Sequence, residues 1–512
     1  MTEANDAPTR TARRPPLAML SLLALPLFVL VGVGTGVGLG VRGGDVQVLA
    51  LALVTAAVAF VPLILDFGRP PAQRHLLLFV FLISYLVFFV FSVFTTYFFA
   101  DTFLGRSEYD ALELKGIRPT DIAWGQTAVL VGLLALLAGY AIPLGRLVPG
   151  GIPRPQRDWS FQSTLVVALI AILTGWVIYL SAQFGILPKR VGSGLLGALS
   201  SSTFFGIALL MLSYLRYRSQ GALALLALLI PPTMAFNYFT GSKGAFFSAI
   251  GVTMIAYLVV KRRIRFRWIL AVFVAFSLFY PIAEFQRQVI LQGNRRSTIW
   301  ALQRLPEVVS QTSRFVSGQK FGEYFVRGAA STLSRFDGLG VTSVILRDCP
   351  ARVPFQGGWS IAHIFITYVP RILWKGKPEL SSGQWVTTNF GPGADVISAT
   401  GPTWIGELWF NFGWRGVVTG MFLMGVYFRI LHEMLFKQGA VIPAQLMSVI
   451  VLLAIPPSLG GVLMAPINGV IITALPLALA HWSVRLMSGT LRPATASDGR
   501  SADLVTEARA EI

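Results

Sequence analysis

The chain has little of what soluble catalytic and extracellular domains are built from. Among its 512 residues there is one cysteine, which excludes an internal disulfide. Four scattered histidines and that single cysteine argue against a zinc site. Only 13% of the residues are charged, against about 25% in an ordinary soluble domain. What the chain has instead is apolar, since 54% of its residues are hydrophobic.

Long uncharged runs recur along the chain, each near the length that crosses about 30 Å of hydrocarbon at 1.5 Å per residue. Cores of soluble proteins seldom need such runs, so we predict an all-α polytopic membrane protein. No internal repeat stands out. Twelve transmembrane spans are expected, near 17–40, 46–66, 76–99, 122–143, 161–183, 200–215, 221–238, 243–260, 268–284, 403–431, 441–462 and 466–486.

One long polar insert interrupts the spans. It is charged, aromatic and punctuated by Gly and Pro, and amphipathic helices along the outer leaflet are expected at Thr298–Leu305 and Gln319–Ser334. The predicted organisation is a disordered cytoplasmic tail at 1–16, spans one to nine at 17–284, an extracytoplasmic loop domain at 285–402, spans ten to twelve at 403–486 and a second disordered cytoplasmic tail at 487–512.

Positive charge predicts the orientation of the chain. Loops on one side of the expected membrane hold fourteen Lys and Arg residues, against seven in the opposite short loops. Cytoplasmic loops are enriched in these residues, so both termini are expected in the cytoplasm and the insert outside. The net charge of +19 then indicates contact with anionic headgroups and phosphates, not with nucleic acid.

The insert and its borders hold three candidate anion-binding or catalytic motifs. Thr240–Gly244 begins a span with Ser242 as a cap and Lys243 as a charge, although it lacks P-loop spacing. Tyr368–Pro378 is a basic, aromatic loop whose alternative explanation is a Trp/Lys anchor at the membrane interface. The insert as a whole holds thirteen basic and six acidic residues, which favours an anionic ligand, because Arg binds phosphate in a bidentate manner.

The third motif, Gly406–Gly413, places Glu407 among aromatic residues where the tenth span begins. A carboxylate at a membrane boundary is costly unless it is partnered or functional. Partial desolvation would suit Glu407 to act as a base. The structural alternative is an ion pair between Glu407 and Arg415.

These motifs together resemble the Wzy-type O-antigen polymerases in order and spacing. The resemblance rests on Thr240–Gly244, Arg335–Asp337, Pro370–Pro378 and Gly406–Gly413, with an Arg-x10-Gly pattern at Arg327–Gly338. It implies a fold similar to the O-antigen ligases and to lipid-dependent, GT-C-like membrane glycosyltransferases. It also implies that glycan repeat units carried on undecaprenyl pyrophosphate are polymerised at the outer face of the bacterial cytoplasmic membrane.

The resemblance further implies roles for particular residues. Arg335 and Arg371 would stabilise the leaving pyrophosphate, with Lys243, Lys377 and Arg327 in support, and Trp374 would hold a sugar ring. Three residues remain candidates for the base that activates the acceptor hydroxyl: Glu407, Asp337 and His363. The implied partners are the lipid-linked donor and acceptor glycans, membrane lipids, a chain-length regulator and a flippase. No cofactor or metal is implied, and the insert holds no DxD cluster.

Three other functions remain open. A transporter, such as a flippase for lipid-linked oligosaccharides, fits twelve spans but should hold charges near the bilayer midplane and often has two similar halves. A non-catalytic scaffold would need no clustered Arg, Lys and carboxylate. An O-antigen ligase would share the donor and use a different acceptor.

The charge bias makes the orientation testable. A reporter fused near Gly357 should be active only in the extracytoplasmic compartment, because the insert is expected outside. Fusing a compartment-specific phosphatase and a cytoplasmic fluorescent protein at the same position gives opposite readouts. Cytoplasmic fluorescence there would overturn both the orientation and the assignment of the site to the outer face.

Overall fold

A computed structural model describes residues 43–93, 117–142, 157–183, 186, 199–239, 243–263, 266–291, 305–318, 320–333, 336–367, 369, 374, 382–391, 401–436, 441–486 and 492–493. These residues form sixteen long or medium helices and almost nothing else. The helices are α1 Gly43–Phe67, α2 Leu76–Tyr85, α3 Pro119–Ala141, α4 Phe161–Gln183, α5 Ser202–Tyr217, α6 Gln220–Phe239, α7 Lys243–Lys261, α8 Phe266–Leu291, α9 Leu305–Ser317, α10 Phe321–Leu333, α11 Gly338–Asp348, α12 Trp359–Thr367, α13 Ser382–Phe390, α14 Trp404–Leu431, α15 Ile442–Leu459 and α16 Ala465–Leu486.

Short segments of other structure join these helices. A 3-10 turn at Pro71–Gln73 precedes α2, and π-helical turns extend α2 over Leu86–Phe91 and α14 over His432–Phe436. Two residues at each of Arg157–Asp158 and Arg492–Pro493 pair as antiparallel strands. The described part of the chain is therefore all-helical apart from this single pairing, as the sequence predicts.

Five of the helical stretches are long and apolar enough to cross a membrane: Val46–Phe67, Pro119–Ala141, Phe161–Ala182, Trp404–Phe436 and Ile442–Leu459. The exposed side chains of helix α4 indicate the environment of these helices. Its side chains Val166, Ile170, Leu173 and Val177 are 42–62% exposed and follow one another at helical spacing. An apolar stripe of this length has no stable place in water, so it indicates a lipid-facing surface.

The predicted spans coincide with helices wherever the structure describes them. Eleven of the twelve overlap α1 to α8 and α14 to α16, and shorter apolar helices occur at Leu76–Phe91, Ser202–Tyr217, Gln220–Ala235, Phe246–Lys261 and Leu270–Ile282. The first predicted span, 17–40, lies outside the described residues, as do both predicted tails apart from the pairing at 492–493. Apolar length alone was sufficient to locate these helices, because a membrane helix must satisfy its backbone within itself.

Loops that were predicted to share one side of the membrane do meet. The side chain of Arg74 donates to the Arg262 carbonyl at 3.2 Å, and Arg262 donates to the carbonyls of Arg74 and Phe436. The Asp158 carboxylate pairs with Arg216 and accepts the Ile442 N–H at 2.8 Å. We call this side, formed by residues 66–75, 158–160, 216–219, 261–263, 432–436 and 441–442, the short-loop face, and the opposite side the insert face.

The described helices of the insert pack on the bundle. Helix α10 matches the amphipathic helix predicted at Gln319–Ser334, and its Tyr324 hydroxyl donates to the Leu278 carbonyl at 2.6 Å. A Cβ at Gly328 would overlap the Ser277 carbonyl oxygen, so α10 and α8 touch backbone to backbone. Residues 298–304 of the other predicted helix lie outside the described residues, and a helix that the sequence did not predict, α9, begins at Leu305.

Helix α14 differs from the continuous span that the sequence predicts. Gly413 has φ 60° and ψ −143°, which breaks the helix. Added Cβ atoms at Gly416 and Gly420 would overlap the Leu408 carbonyl oxygen and the Leu408 side chain, respectively. In a straight helix these positions lie about 12 and 18 Å from Leu408 along the axis. The segment Trp404–Phe412, which we call the half-helix of α14, therefore folds back against Trp414–Leu431.

Glycines also set the distance between α14 and α3, which form the most extensive helix pair. Added Cβ atoms would overlap the Phe422 carbonyl oxygen at Gly139 and the Leu136 carbonyl oxygen at Gly425. At both glycines, the backbone of one helix lies directly against the backbone of the other helix. Small residues drive helix association in lipid through such close contact. This close contact fixes α14, and with it the half-helix, against α3.

Substituting Gly425 should therefore separate these helices. Gly425→Ala is expected to lower stability in detergent by about 1–3 kcal/mol, because the added methyl group meets main chain that cannot yield. The matched control is Gly251→Ala in α7, whose Cβ would lie 3.9 Å from Leu453 Cδ1. The control should be neutral or stabilising, since Ala is a better helix former than Gly. Equal melting temperatures for the two variants would contradict the packing.

Candidate functional site

Two short helices begin inside the bundle with their N-termini close together. Asp337 caps α11, and its Oδ1 accepts the Gly340 N–H at 2.8 Å. Thr403 caps the half-helix of α14, and its Oγ1 accepts the Gly406 N–H at 3.1 Å. The hydroxyls of Thr342 and Thr403 are 2.7 Å apart, which joins the two helices one turn from the start of α11.

The two N-termini lie well below the insert face. Helix α2 begins next to His75 on the short-loop face and reaches Phe88 thirteen residues later, about 20 Å along the axis. Phe88 lies beside Gly338 at the start of α11, where an added Cβ would be 3.2 Å from the Phe88 carbonyl oxygen. Both half-length helices therefore run from within the bundle outward, with unfilled backbone N–H groups pointing inward. Non-helical backbone at this depth occurs where it is buried in protein or lines a cavity.

A third element, the loop Gly460–Leu463 after α15, closes the same region. An added Cβ would overlap the Gly460 carbonyl oxygen at Gly401, and would lie 2.6 Å from the Phe88 ring at Gly460. Phe88 also packs edge-on against Phe336, with ring centroids 5.3 Å apart. The ends of α11, α14 and α15 thus meet around one phenylalanine. We call this junction the half-helix site.

Of the two carboxylates at the half-helix site, Asp337 and Glu407, Glu407 is the more deeply buried. Its side chain is fully buried, and its Oε2 accepts the Leu463 N–H at 2.6 Å. Its Oε1 has no partner within hydrogen-bond distance among the described residues, and the Ser360 hydroxyl is its polar neighbour. The alternative ion pair does not form, since Arg415 follows the break at Gly413 and is exposed.

The backbone at the start of the half-helix is strained. Thr403 has φ 62° and ψ 158°, a conformation that a β-branched residue rarely adopts. The next residue, Trp404, is fully buried, yet no described atom accepts a hydrogen bond from its Nε1. Strained residues and unpaired buried polar atoms concentrate at functional sites. With Glu407 Oε1, these features bring a strained residue and two unpaired buried polar atoms together at the start of α14.

A turn from the insert covers the outer end of the half-helix. The backbone N–H groups of Gln356 and Gly357 donate to the carbonyls of Phe410 and Asn411 at 2.8 and 3.2 Å. The Asn411 side chain accepts the Gly358 N–H at 3.0 Å and donates to the Ser360 hydroxyl at 2.8 Å. The turn Gln356–Ser360 supplies the partners that the broken helix loses at Gly413, and it lies between Glu407 and the insert face.

Aromatic side chains surround this cover. The rings of Trp359 and Trp385 are 5.8 Å apart, and Trp385 packs on Phe410 at 4.9 Å. On the other side of the break, Trp124 packs edge-on against Trp414 with ring centroids 5.3 Å apart. Tryptophan is enriched at membrane interfaces and stacks on sugar rings, so the Gly413 turn has the composition of an interfacial position.

Charged residues at the outer end of α11 form a local network. The Asp348 carboxylate accepts from Arg347 Nε at 2.7 Å and from Arg352 at 2.8 Å. Burial on its own would raise the pKa of Asp348, but the hydrogen bonds and charges of the two arginines outweigh burial and hold that pKa below its ordinary value. The network fixes the outer end of α11 to the segment that leads into the Gln356–Ser360 turn.

The predicted site residues divide into four groups. Asp337 and Glu407 have described side chains, and both lie at the half-helix site. Helical positions alone are described for Lys243 at the start of α7, Arg327 in α10 and His363 in α12. Trp374 is an isolated described residue and is 40% exposed. Arg335, Arg371 and Lys377 lie outside the described residues, so a shared pocket with Lys243 remains a prediction.

Thr403, Asn411, Ser360 and Leu463 were not among the residues predicted from the sequence. Thr403 could have been predicted from the sequence, since a Thr that follows Pro402 and precedes an apolar helix is a good N-cap. The other three act through contacts between residues distant in sequence. Among the described residues, no group of three His, Cys, Asp or Glu side chains is arranged to hold a metal.

The chemistry available at the half-helix site is acid–base and anion binding. Helix N-termini attract anions through their unfilled N–H groups and the helix dipole. A buried carboxylate with one unpaired oxygen can accept a proton. No family model, curated protein or solved structure matches this chain.

The Asp348 network predicts a specific acid sensitivity. Its carboxylate titrates in the folded protein below the ordinary pKa of 3.8, so the stabilisation is present above that pH and is lost as pH falls through the lower folded value. At pH 7, Asp348→Asn should cost about 1–2 kcal/mol, since one arginine is well exposed. Melting temperatures of the variant and the parent should converge as pH falls below about 4.

The control for this experiment is Glu323→Gln, which replaces an exposed carboxylate in the first turn of α10. Glutamine keeps the shape and polarity of this side chain, so the variant should melt close to the parent across the same pH range. A gap between parent and Asp348→Asn that stays constant from pH 7 to pH 3 would show that the charge of Asp348 does not contribute.

Proposed function

We propose that this protein polymerises glycan repeat units carried on undecaprenyl pyrophosphate at the outer face of the bacterial cytoplasmic membrane. In this proposal it is a twelve-span membrane glycosyltransferase with both termini in the cytoplasm and the insert outside. The proposal extends the resemblance to the Wzy-type polymerases. The observation that supports it best is the half-helix site, where two helix N-termini converge on a buried carboxylate beneath the basic insert.

A lipid pyrophosphate fits the depth and polarity of such a site. Its two phosphates would lie near the N-termini of α11 and of the half-helix of α14, where helix dipoles favour negative charge. Arg335 and Arg371 in the insert, with Lys243, Lys377 and Arg327, would neutralise the charge that grows on the leaving group. The prenyl chain would remain among the spans, and the glycan would extend into the insert.

The reaction requires a base and a leaving group. Glu407 Oε1 would take the proton from the acceptor hydroxyl, whose oxygen then bonds to the anomeric carbon of the growing chain. The bond from that carbon to the phosphate oxygen breaks, and undecaprenyl pyrophosphate leaves with the electron pair. Asp337 and His363 remain alternative bases, although the N-cap hydrogen bond occupies one oxygen of Asp337.

Substrate access would require movement of the Gln356–Ser360 turn. Glu407 is fully buried beneath it, and hydrogen bonds to Phe410 and Asn411, together with ring packing, hold the turn in place. In this proposal the acceptor glycan enters when the turn lifts. Trp359, Trp374 and Trp385 would then hold sugar rings by stacking, as aromatic residues do in carbohydrate sites.

A transporter of lipid-linked oligosaccharides is the second candidate. The broken helix at Gly413 favours it, because transporters build substrate sites from discontinuous helices whose N-termini face anionic groups. In that case Glu407 would bind and release a proton or substrate without bond formation. An O-antigen ligase, which transfers the same donor to another acceptor, is distinguished by its product.

The test is Glu407→Gln. Glutamine can still accept the Leu463 N–H, so the protein should insert and fold, while loss of the base should lower polymerisation about 10²–10⁴-fold. The measurement is the length distribution of the surface glycan at matched protein levels. Single repeat units should accumulate at the outer face. Normal-length polymer from this variant would remove Glu407 from the chemistry.

Two controls make the outcome specific. Glu307→Gln replaces an exposed glutamate of α9 whose side chain bonds Gln311 at 3.3 Å, and it should leave polymer length unchanged. If Glu407→Gln instead leaves repeat units at the inner face, the transporter is correct. Polymer that forms but is not transferred to its final acceptor would indicate a ligase.

A further inference from the structure

An apolar groove opens at the short-loop face and runs into the bundle between helices. Its volume is about 630 Å³, within the range of about 300–1,000 Å³ that small-molecule sites occupy. Helices α1, α2 and α3 line it, chiefly through Val58, Val61, Leu65, Leu78, Leu82 and Leu137. From Val58 to Arg69 the groove follows α1 for about 16 Å.

The end of the groove nearest the short-loop face is polar. Asp66, Arg69, His75, Tyr140 and Arg429 line it. His75 Nδ1 and the Tyr140 hydroxyl are 2.6 Å apart, and the Arg429 guanidinium lies over the Tyr140 ring at 5.6 Å from its centroid. A long apolar channel with a polar end has the shape and polarity of an amphiphile.

The polar end carries an excess of positive charge. Arg69, Arg74 and Arg262 all act on the Asp66 carboxylate, which itself accepts the His75 N–H at 2.9 Å. Arg429 forms an ion pair with Glu433 at 2.7 Å. Four arginines therefore surround two carboxylates. His432 stacks on His75 with ring centroids 4.3 Å apart. A histidine side chain carries no negative charge, so it does not offset the excess of arginines.

Among these arginines, Arg69 is the one best placed to meet a headgroup. Its side chain is 46% exposed and lies 3.6 Å from Asp66, a loose pair. Arg74 and Arg262 instead donate to main-chain carbonyls. Arg429 is more buried, and its Nε donates to no described atom. A phosphodiester at the groove mouth would meet Arg69 from the solvent side.

We propose that this groove binds an anionic glycerophospholipid, with one acyl chain along α1 and the phosphodiester against Arg69. Charge complementarity selects this occupant, because the positive mouth lies among the loops predicted to face the cytoplasmic leaflet, where anionic lipids concentrate. Apolar surface supplies the affinity and the arginine supplies the headgroup preference. The site is independent of the proposed polymerase activity.

The experiment uses the full-length protein with a fluorescent label in the groove. Val61→Cys places one thiol in the apolar part of the channel. Native Cys349 does not compete for the label, since it is buried and burial raises the pKa of its thiol to about 11. The labelled protein is reconstituted in phosphatidylcholine vesicles. Nitroxide-labelled phosphatidylglycerol or nitroxide-labelled phosphatidylcholine is then added at equal mole fractions, and quenching is measured.

We expect phosphatidylglycerol to bind about fivefold more tightly than phosphatidylcholine, given about 1 kcal/mol per basic residue near the membrane surface. Arg69→Gln should abolish this preference and leave quenching by phosphatidylcholine unchanged. The matched control is Arg267→Gln, an exposed arginine at the start of α8 in the same set of loops, which should retain the preference.

Three outcomes would overturn the proposal. Equal quenching by both lipids would show that the charge of Arg69 does not discriminate between the two headgroups. No quenching by either lipid would show that protein covers the groove, for example residues 17–40. Loss of the preference on adding inorganic phosphate would show a soluble-anion site with no role for the acyl chain.

Discussion

The fold-back of α14 at Gly413 is the feature on which the rest of the structure depends. A helix that doubles back inside a bilayer must satisfy its freed backbone groups within the protein, because lipid offers no hydrogen bonds. Here Thr403 caps one end, and the Gln356–Ser360 turn caps the other. Gly416 and Gly420 leave the space in which the half-helix lies. Without them the half-helix would be displaced from α3, α11 and the Gly460–Leu463 loop.

This constraint explains why a polar junction can exist within an otherwise apolar bundle. The half-helix brings Glu407 to the depth at which α11 begins and α15 ends, and the Leu463 N–H binds one carboxylate oxygen. The Thr342 and Thr403 hydroxyls join α11 to the half-helix at the same junction. In a straight span, Glu407 would lie at the insert face instead, where water would compete for the hydrogen bonds of its carboxylate.

The sequence predicted the helices well because their cause is local. A run of about twenty apolar residues has few alternatives to a membrane helix, and the charge asymmetry of the loops grouped Arg74, Arg216 and Arg262 correctly on one face. Glu407 was predicted as a site residue from the cost of a carboxylate among aromatic side chains, and the structure buries it fully. Asp337 was identified through a motif, and the structure gives it a capping hydrogen bond.

The remaining features could not be predicted because they depend on contacts between distant residues. Gly413, Gly416 and Gly420 form a pattern typical of ordinary helix packing, and nothing nearby indicates that Leu408 of the same helix is the partner. The alternative ion pair between Glu407 and Arg415 does not form. Once the chain turns at Gly413, the two side chains face different surroundings, and Leu463, fifty-six residues away along the chain, becomes the partner.

The reciprocal hydrogen bonds of Arg74 and Arg262 have a mechanical consequence. Each guanidinium holds the main chain of the other residue's turn, and Arg262 also reaches the carbonyl of Phe436. The ends of α1, α7 and the π-helical turn after α14 are thereby tied into one block. Displacing any one of these three elements would therefore displace the other two, so this end of the bundle is cross-braced.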